Sequence, residues 1–384
     1  MINFAFYLPT HLYVGIDQEE KVGKLIKADG GSNILLVYGG GSIKKIGLYD
    51  KVIKALDDEG ITYHELKDVH PNPQMDKVYE GINLVRENKI DYILAVGGGS
   101  VIDTAKSIAH GVFYDGDCFD FNLKKAVPGK AMKVGVILTI AASGSEMSNS
   151  CVMSKGDKKA GFNVETNRPR FAIENPALTF SVSPTQTAYG SVDIISHSLE
   201  RYFNQSDDYC LADDFALGLI KEVIKSTLKV IKEPTNYDAR ATLMVASGFS
   251  HNGLTGIGKV FSFPIHALEH EVSGLHENIA HGAGLACLIP AYLTILEGEE
   301  REKIAHFGRE VFSIQEKDDE HASKLTILAI KKFIEQIGLS YHLKDYGFLP
   351  SDIDIIVNER IQSDIKGHIV LTKEIIRQIF IQAL

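Results

Sequence analysis

Apolar and polar positions follow two different rhythms along this chain, and the rhythm changes once. In the first half, short unbroken apolar runs are each followed by a segment whose apolar residues recur every three or four places. NILLVY (33–38) runs into a glycine turn at 39–41, and from Ser42 to about Glu59 the residues Ile43, Ile46, Val52, Ile53 and Leu56 keep close to helical spacing. DYILAV (91–96) leads into a second turn of the same composition, with Ser100 expected as the N-cap of a helix from Val101 to about Ala109. KVGVILTI (133–140) reads as a third buried strand and RFAIENP (170–176) as a fourth. Strand, turn and helix in this order predict βαβ units and therefore a parallel sheet.

Past SVSPTQTA (181–188) strands largely vanish, and helical patterns run from Pro184 to the end without a repeat of 30 to 45 residues. The expected architecture is an α/β chain of two domains. Residues 1–182 would form a Rossmann-like parallel-sheet domain, and residues 183–384 an all-α domain. Length supports the division, since 384 residues exceed the roughly 250–300 at which one hydrophobic core stops growing. Clefts between domains are favoured ligand sites.

Composition then narrows the function classes. Hydrophobic residues at 45% and charged residues at 23% describe an ordinary globular protein. A net charge of −10 without a basic cluster argues against a nucleic-acid surface. Cys118, Cys151, Cys210 and Cys287 lie far apart with no C-x-x-C pair, which suits a reducing compartment. With no membrane-length apolar run and no basic start with an apolar core in MINFAFYLPTHLYVG, the expectation is a cytoplasmic protein that engages no membrane. The alternating NFAFY stretch reads as an edge strand, either within its own domain or across a homodimer.

Two loops of strand, GGGS and helix, Gly39–Gly40–Gly41–Ser42 and Gly97–Gly98–Gly99–Ser100, suit a pyrophosphate. Glycines let the backbone come close to an anion, and a helix start offers unpaired N–H groups. Neither loop matches G-x-G-x-x-G, and tight βα turns use glycine for steric reasons alone. The nucleotide reading gains from their equivalent placement and from TIAASGSE (139–146), where Thr139, Ser143 and Ser145 add hydroxyls after the next strand.

Metal chemistry is suggested by spacing. Asp193 and His197 stand four residues apart on one predicted helix, and His266 and His270 repeat the relation in PIHALEH, so each pair shares a helix face. His281 follows, with Gly282 permitting a sharp turn. One carboxylate with three imidazoles suits Zn2+ or Fe2+. Spacing alone leaves open whether His266 or His270 ligates, and whether His276 takes part.

AVGGGSVIDTAK, TIAASGSE, DIISHSLE and PIHALEHEVSGLHENIAHGAGLACLIP together resemble the iron-containing (group III) alcohol dehydrogenases over essentially the whole chain. VYGGGSIKKIGLYDKV and HPNP make it more similar to the NADPH-dependent butanol dehydrogenase and aldehyde reductase branch. The resemblance implies a dinucleotide-binding first domain, a helical second domain, and one divalent ion, Fe2+ or Zn2+, held by Asp193, His197, His266 and His281. His270 would then stand beside the substrate, as a proton relay suited to neutral pH. Gly97, Gly98, Gly99, Ser100 and Asp103 match the pyrophosphate motif, Thr139 and Ser143 the next cofactor loop, and Lys159 a cofactor-contacting lysine, with Lys158 one place away. NAD-preferring members usually carry an acidic residue where Gly39 stands; its absence, with Lys44 and Lys45 nearby, implies NADP(H) in preference to NAD(H). The implied reaction is hydride transfer between NADPH and a small aldehyde or primary alcohol such as butanal or butanol.

Four other readings compete, one of them a catalytically silent binding or structural protein. HALEH fits H-x-x-E-H, in which His266 and His270 would both ligate and Glu269 would act as base of a metallohydrolase. A dehydroquinate synthase of the same fold would need basic residues among the metal motifs, which DIISHSLE and PIHALEHE lack. Glycerol dehydrogenases normally depart from this ligand set.

Overall fold

The computed structural model describes residues 2–204 and 210–384. Contacts divide the chain into two compact units. One comprises Tyr7–Val182 with Thr235–Asn252; the other comprises Ser183–Pro234 and Gly253–Leu384, together with the first residues up to Phe6.

The first unit is built on strands β1 (His11–Val14), β2 (Asn33–Tyr38), β3 (Thr62–Leu66), β4 (Tyr92–Gly97), β5 (Lys133–Leu138) and β8 (Phe171–Glu174), with β6 (Ser150–Lys155) and β7 (Lys158–Asn163) forming a separate antiparallel hairpin. The six strands are parallel, in the order β1-β8-β5-β4-β2-β3. Its helices are α1 (Val22–Ala28), α2 (Ser42–Lys45), α3 (Leu48–Asp57), α4 (Met75–Asn88), α5 (Gly99–Gly111) and α6 (Phe119–Asn122). Both faces of the sheet are covered, which is why its central strands read as continuous apolar runs. Leu35 and Val37 of β2 and Ile93 and Ala95 of β4 pack with Val78 of α4 and Ile102 and Ala105 of α5. Their alternates Ile34, Leu36, Leu94 and Val96 pack with Ile26 of α1 and Val52 and Leu56 of α3. Successive strands are added toward one edge from β2 to β3 and toward the other from β4 onward, which makes the C-terminal ends of β2 and β4 the switch point where open α/β sheets bind ligands.

The second unit consists of α7 (Pro184–Tyr202), α8 (Leu211–Lys232), α10 (Pro264–Leu275), α11 (His281–Phe312), α12 (Asp319–Gln336), α13 (Pro350–Asp354) and α14 (Lys373–Ala383). It also holds a two-stranded pair, β9 (Ile365–Lys366) and β10 (Val370–Leu371). Helix α9 (Tyr237–His251), although it follows the change of rhythm, packs with the sheet unit. There its Ser247 Oγ accepts from the N–H groups of Ala142 (3.2 Å) and Gly144 (3.1 Å), tying the helix to the loop after β5. Three local expectations are corrected. The segment after the first glycine turn is two helices, because Gly47 takes φ +72° between α2 and α3. The cap of α5 is Gly98, leaving Ser100 inside the first turn. Asn3–Tyr7 forms no strand.

Candidate active site

The two glycine turns follow adjacent strands yet differ in what surrounds them. At Gly97 an added Cβ would lie 2.6 Å from Val101 Cγ2, at Gly98 2.5 Å from Ile140 Cγ2, and at Gly99 2.3 Å from Ser143 Oγ. The turn after β4 is therefore glycine because Val101 of its own helix crowds Gly97 and the next loop presses on Gly98 and Gly99, with Thr139 N–H donating to Gly97 O at 3.1 Å. No side chain caps α5, and although Val101 N–H turns back to Gly98 O at 3.0 Å, the N–H groups of Gly99 and Ser100 remain available to another acceptor. At Gly40 and Gly41 an added Cβ would meet nothing within 4 Å, and at Gly39 only Val69 O at 3.2 Å and Val101 Cγ2 at 3.9 Å. The helix after this first turn is a single turn beginning at Ser42. Lys44 and Lys45 are both exposed, with the Lys44 ammonium drawn over the rings of Tyr49 (4.5 Å) and Tyr38 (5.5 Å).

Asp103 turns toward its own unit: Oδ1 accepts from Ser145 Oγ at 2.5 Å and Oδ2 from Val152 N–H at 3.0 Å. Burial pushes its carboxyl upward, opposed by the Lys106 ammonium and the Ser145 hydroxyl. Asp103 thus anchors the Ser145 loop and β6. Lys159 is half-buried and donates to Asn72 Oδ1 at 3.2 Å, while Lys158 is exposed.

In the helical unit, the i, i+4 spacing and two helix starts bring the ligand candidates to one point. Asp193 Oδ1 lies 3.5 Å from His197 Nδ1, 3.5 Å from His266 Nε2 and 3.8 Å from His281 Nε2. Asp193, His266 and His281 present ligand atoms all within 4.8 Å of one another. His197 stacks on His266 with ring centroids 4.5 Å apart. Asp193 Oδ1 and His266 Nε2 are buried without a hydrogen-bond partner. Orphaned polar atoms are costly, and a shared cation would satisfy them. The donors, one carboxylate and three imidazoles, suit Fe2+ or Zn2+. Burial works to lower the His266 imidazole, but the Glu200 and Asp193 carboxylates outweigh it and raise the ring to about 9.

His270 lies one helical turn beyond His266, its ring 5.7 Å from that of His281, and joins Glu269 and His281 in a second grouping away from Asp193. His276 Nε2 donates to Asp352 Oδ2 at 2.7 Å and stands outside the cluster. Glu200 is a residue that sequence reasoning missed. Its Oε1 accepts from Ile265 N–H at 2.6 Å, and its Oε2 meets His266 Nδ1. Glu269 meets His281 Nδ1, which is a different use from the base expected in the metallohydrolase reading. The small residues that let these helices close are Gly282, where a Cβ would sit 2.4 Å from Tyr189 O, and Gly284, where it would sit 2.8 Å from Glu269 Cγ.

Comparison with known proteins gives the family. Residues 9–176 match the family described as iron-containing alcohol dehydrogenase, and residues 187–384 match the C-terminal domain of the Fe-containing alcohol dehydrogenase family. NADH-dependent butanol dehydrogenase A of Clostridium acetobutylicum is 35% identical, with 94% of each chain covered. NADPH-dependent aldehyde reductase YqhD of Escherichia coli is 34% identical, over 94% of this chain and 93% of that protein. The crystal structure of NADH-dependent butanol dehydrogenase A from Thermotoga maritima superposes with a TM-score of 0.95 at 34% identity, covering 100% of this chain and 99% of that one. These matches do not favour the metallohydrolase, glycerol dehydrogenase or dehydroquinate synthase readings. With both halves matched and relatives of more than 30% identity covered over nearly their whole length, the chain belongs to the iron-containing alcohol dehydrogenase family.

Proposed function

We propose that the protein interconverts short-chain aldehydes, of the size of butanal, and primary alcohols by hydride transfer with a nicotinamide cofactor, preferring NADPH. One divalent ion would be held by Asp193, His197, His266 and His281. The observation that carries this reading is the convergence of three imidazole nitrogens on Asp193 Oδ1, within 3.8 Å. When bound, Fe2+ or Zn2+ supplies Lewis acidity toward the carbonyl oxygen and the alkoxide that develops from it.

The remaining work falls to side chains and backbone. The α5 N-terminus and the glycines at 97–99 offer amide donors to a pyrophosphate, with Thr139, Ser143 and Lys159 as further contacts. His270, one turn from His266, holds the proton that the product oxygen takes up. Gly39 supports the NADPH preference: it places no carboxylate beyond β2 to repel a 2′-phosphate, and Lys45 is exposed nearby. The curated relatives differ on this point, butanol dehydrogenase A being named NADH-dependent and YqhD NADPH-dependent.

A homodimer belongs to the same proposal, supported by the exposed alternating side chains Ile2, Phe4 and Phe6. A cytoplasmic location is supported by the free thiols of Cys118, Cys151, Cys210 and Cys287. Among the described residues no helix is long and apolar enough to cross a membrane. Metal analysis of the purified protein, with C2 to C6 aldehydes assayed against NADPH and NADH in parallel, tests the reading. The expected result is one Fe2+ or Zn2+ per chain and a higher kcat/KM with NADPH. No turnover with either cofactor would overturn the activity, and a higher value with NADH would overturn the preference.

A further inference from the structure

Each of the two imidazoles that turn Nε2 toward Asp193 rests on a fully buried glutamate through its other nitrogen. Glu200 is 1% exposed and Glu269 0%. His266 Nδ1 is hydrogen-bonded to Glu200 Oε2, and His281 Nδ1 to Glu269 Oε2. A carboxylate accepts, so each ring donates from Nδ1, and it is Nε2, the nitrogen turned to Asp193, that exchanges its proton for an arriving cation. The rings are also fixed in rotation, since a flip about χ2 would break a buried charge-assisted bond.

The sequence positions show how this is built. Glu200 lies three residues beyond His197 and seven beyond Asp193, on the face of α7 that carries both ligand candidates. From there it reaches α10, a helix whose own N-cap, Phe263, supplies no side-chain cap. Glu200 Oε1 takes the first-turn N–H of Ile265 at 2.6 Å, with His266 N–H at 3.4 Å, so one carboxylate holds both the start of α10 and the ring of His266. On α10, Glu269 lies three residues after His266 and reaches α11 in the same way, to the ring of the first residue of that helix, His281. Gly284 leaves the room this needs: a Cβ there would lie 2.8 Å from Glu269 Cγ and 3.2 Å from its Oε1. Helix α7 orients the imidazole of α10, and α10 orients that of α11.

We propose that Glu200 and Glu269 are positioning residues that hold His266 and His281 with Nε2 presented for the ion, so that the site exists in a binding geometry before the ion arrives. The proposal rests on the reading of the cluster as a metal centre. Carboxylates behind ligating histidines fix the tautomer and raise ligand basicity, and their loss typically weakens metal affinity by about 10–100-fold.

The test uses full-length protein reconstituted with Co2+ at one equivalent. The d–d absorption reports ligand geometry, and competition with a chromophoric chelator reports affinity. Glu200→Ala and Glu269→Ala are expected to bind Co2+ about 10–100-fold more weakly than wild type and to shift the absorption. Glu200→Gln and Glu269→Gln, which still accept from Nδ1–H through the amide oxygen, should lose less. A merely structural role would lower the melting temperature of the metal-free protein while leaving the affinity and spectrum of the folded fraction unchanged. That result overturns the proposal. If an alanine variant does not fold, the matching leucine variant, which fills the space but cannot accept from Nδ1–H, takes its place, and wild-type affinity there overturns the proposal instead. Two ions per wild-type chain, with one lost on Glu269→Gln, would make Glu269 a ligand in its grouping with His270 and His281 and end its positioning role. Failure of wild-type protein to take up Co2+ or Zn2+ would instead sink the metal-centre reading itself.

Discussion

Asp193 Oδ1 and His266 Nε2 face each other at 3.5 Å, both buried and neither hydrogen-bonded elsewhere. Two such atoms are left in this state only where a third partner completes them. Asp193→Ala should therefore abolish metal retention and activity together. A second readout is thermodynamic: an ion at 100 times its Kd stabilises the folded state by about 2.7 kcal/mol. Calorimetry with and without added Zn2+ should show that gain in wild type and none in the variant. An undiminished gain would place the ion elsewhere.

His270 shares α10 with His266, and its ring lies 5.7 Å from that of His281, with which it groups together with Glu269. His270→Ala should lower kcat by about 100-fold, the lower end of what a positioned acid or base contributes, with metal content unchanged. Loss of the ion from this variant would make His270 a ligand.

The two GGGS turns, identical in sequence, should respond differently to alanine. Gly97→Ala puts a Cβ 2.6 Å from Cγ2 and 2.8 Å from Cβ of Val101, a β-branched residue held in the first turn of α5. Overpacking of this kind costs about 1–3 kcal/mol, and displacement of the turn should also raise the cofactor KM. Gly40→Ala meets open space and should change stability by less than about 0.5 kcal/mol. Urea unfolding of both variants checks the contrast, and equal losses would contradict it.

That contrast marks how far the sequence could be read. NILLVY and DYILAV announce doubly covered strands because every residue in them is apolar, and the glycine turns stand out by composition. What surrounds a turn depends on its neighbours in space: Ile140 and Ser143 press on Gly98 and Gly99, while nothing approaches Gly40. The break of the α2–α3 segment was marked by Gly47, inside an otherwise helical pattern. Nothing local marks α9 as part of the sheet unit, since its tie is Ser247 to amides more than 100 residues away. The metal cluster shows itself through i, i+4 pairs within single helices. Glu200 does not, because its partners Ile265 and His266 lie 65 and 66 residues along the chain.

Gly39 closes β2 without a carboxylate, and a Cβ there has only Val69 O at 3.2 Å to displace slightly. Gly39→Asp is thus accommodated with a small shift and sets a negative charge at the end of the strand. Repulsion of a 2′-phosphate by about 1.4 kcal/mol or more would cut the ratio of kcat/KM for NADPH over NADH at least about tenfold. Steady-state kinetics with both cofactors measures this, and an unchanged ratio would remove Gly39 from cofactor selection.

Glu174, the last residue of β8, is 0% exposed, and neither carboxyl oxygen has a hydrogen-bond partner. Burial first, and the nearby Glu146 carboxylate second, push its carboxyl well above the usual range. A folded-state value above the unfolded one means that the native protein binds the proton more tightly. The stabilisation from that proton is therefore complete below the unfolded value and lost as pH rises through the folded one. Glu174→Gln keeps the shape and cannot ionise, so its melting temperature relative to wild type should climb steadily from pH 5 to pH 9. The comparison cancels other titrations that the two proteins share. A constant difference across that range would mean that Glu174 does not change protonation on folding, and that its carboxyl is solvated in a way the burial of β8 does not suggest.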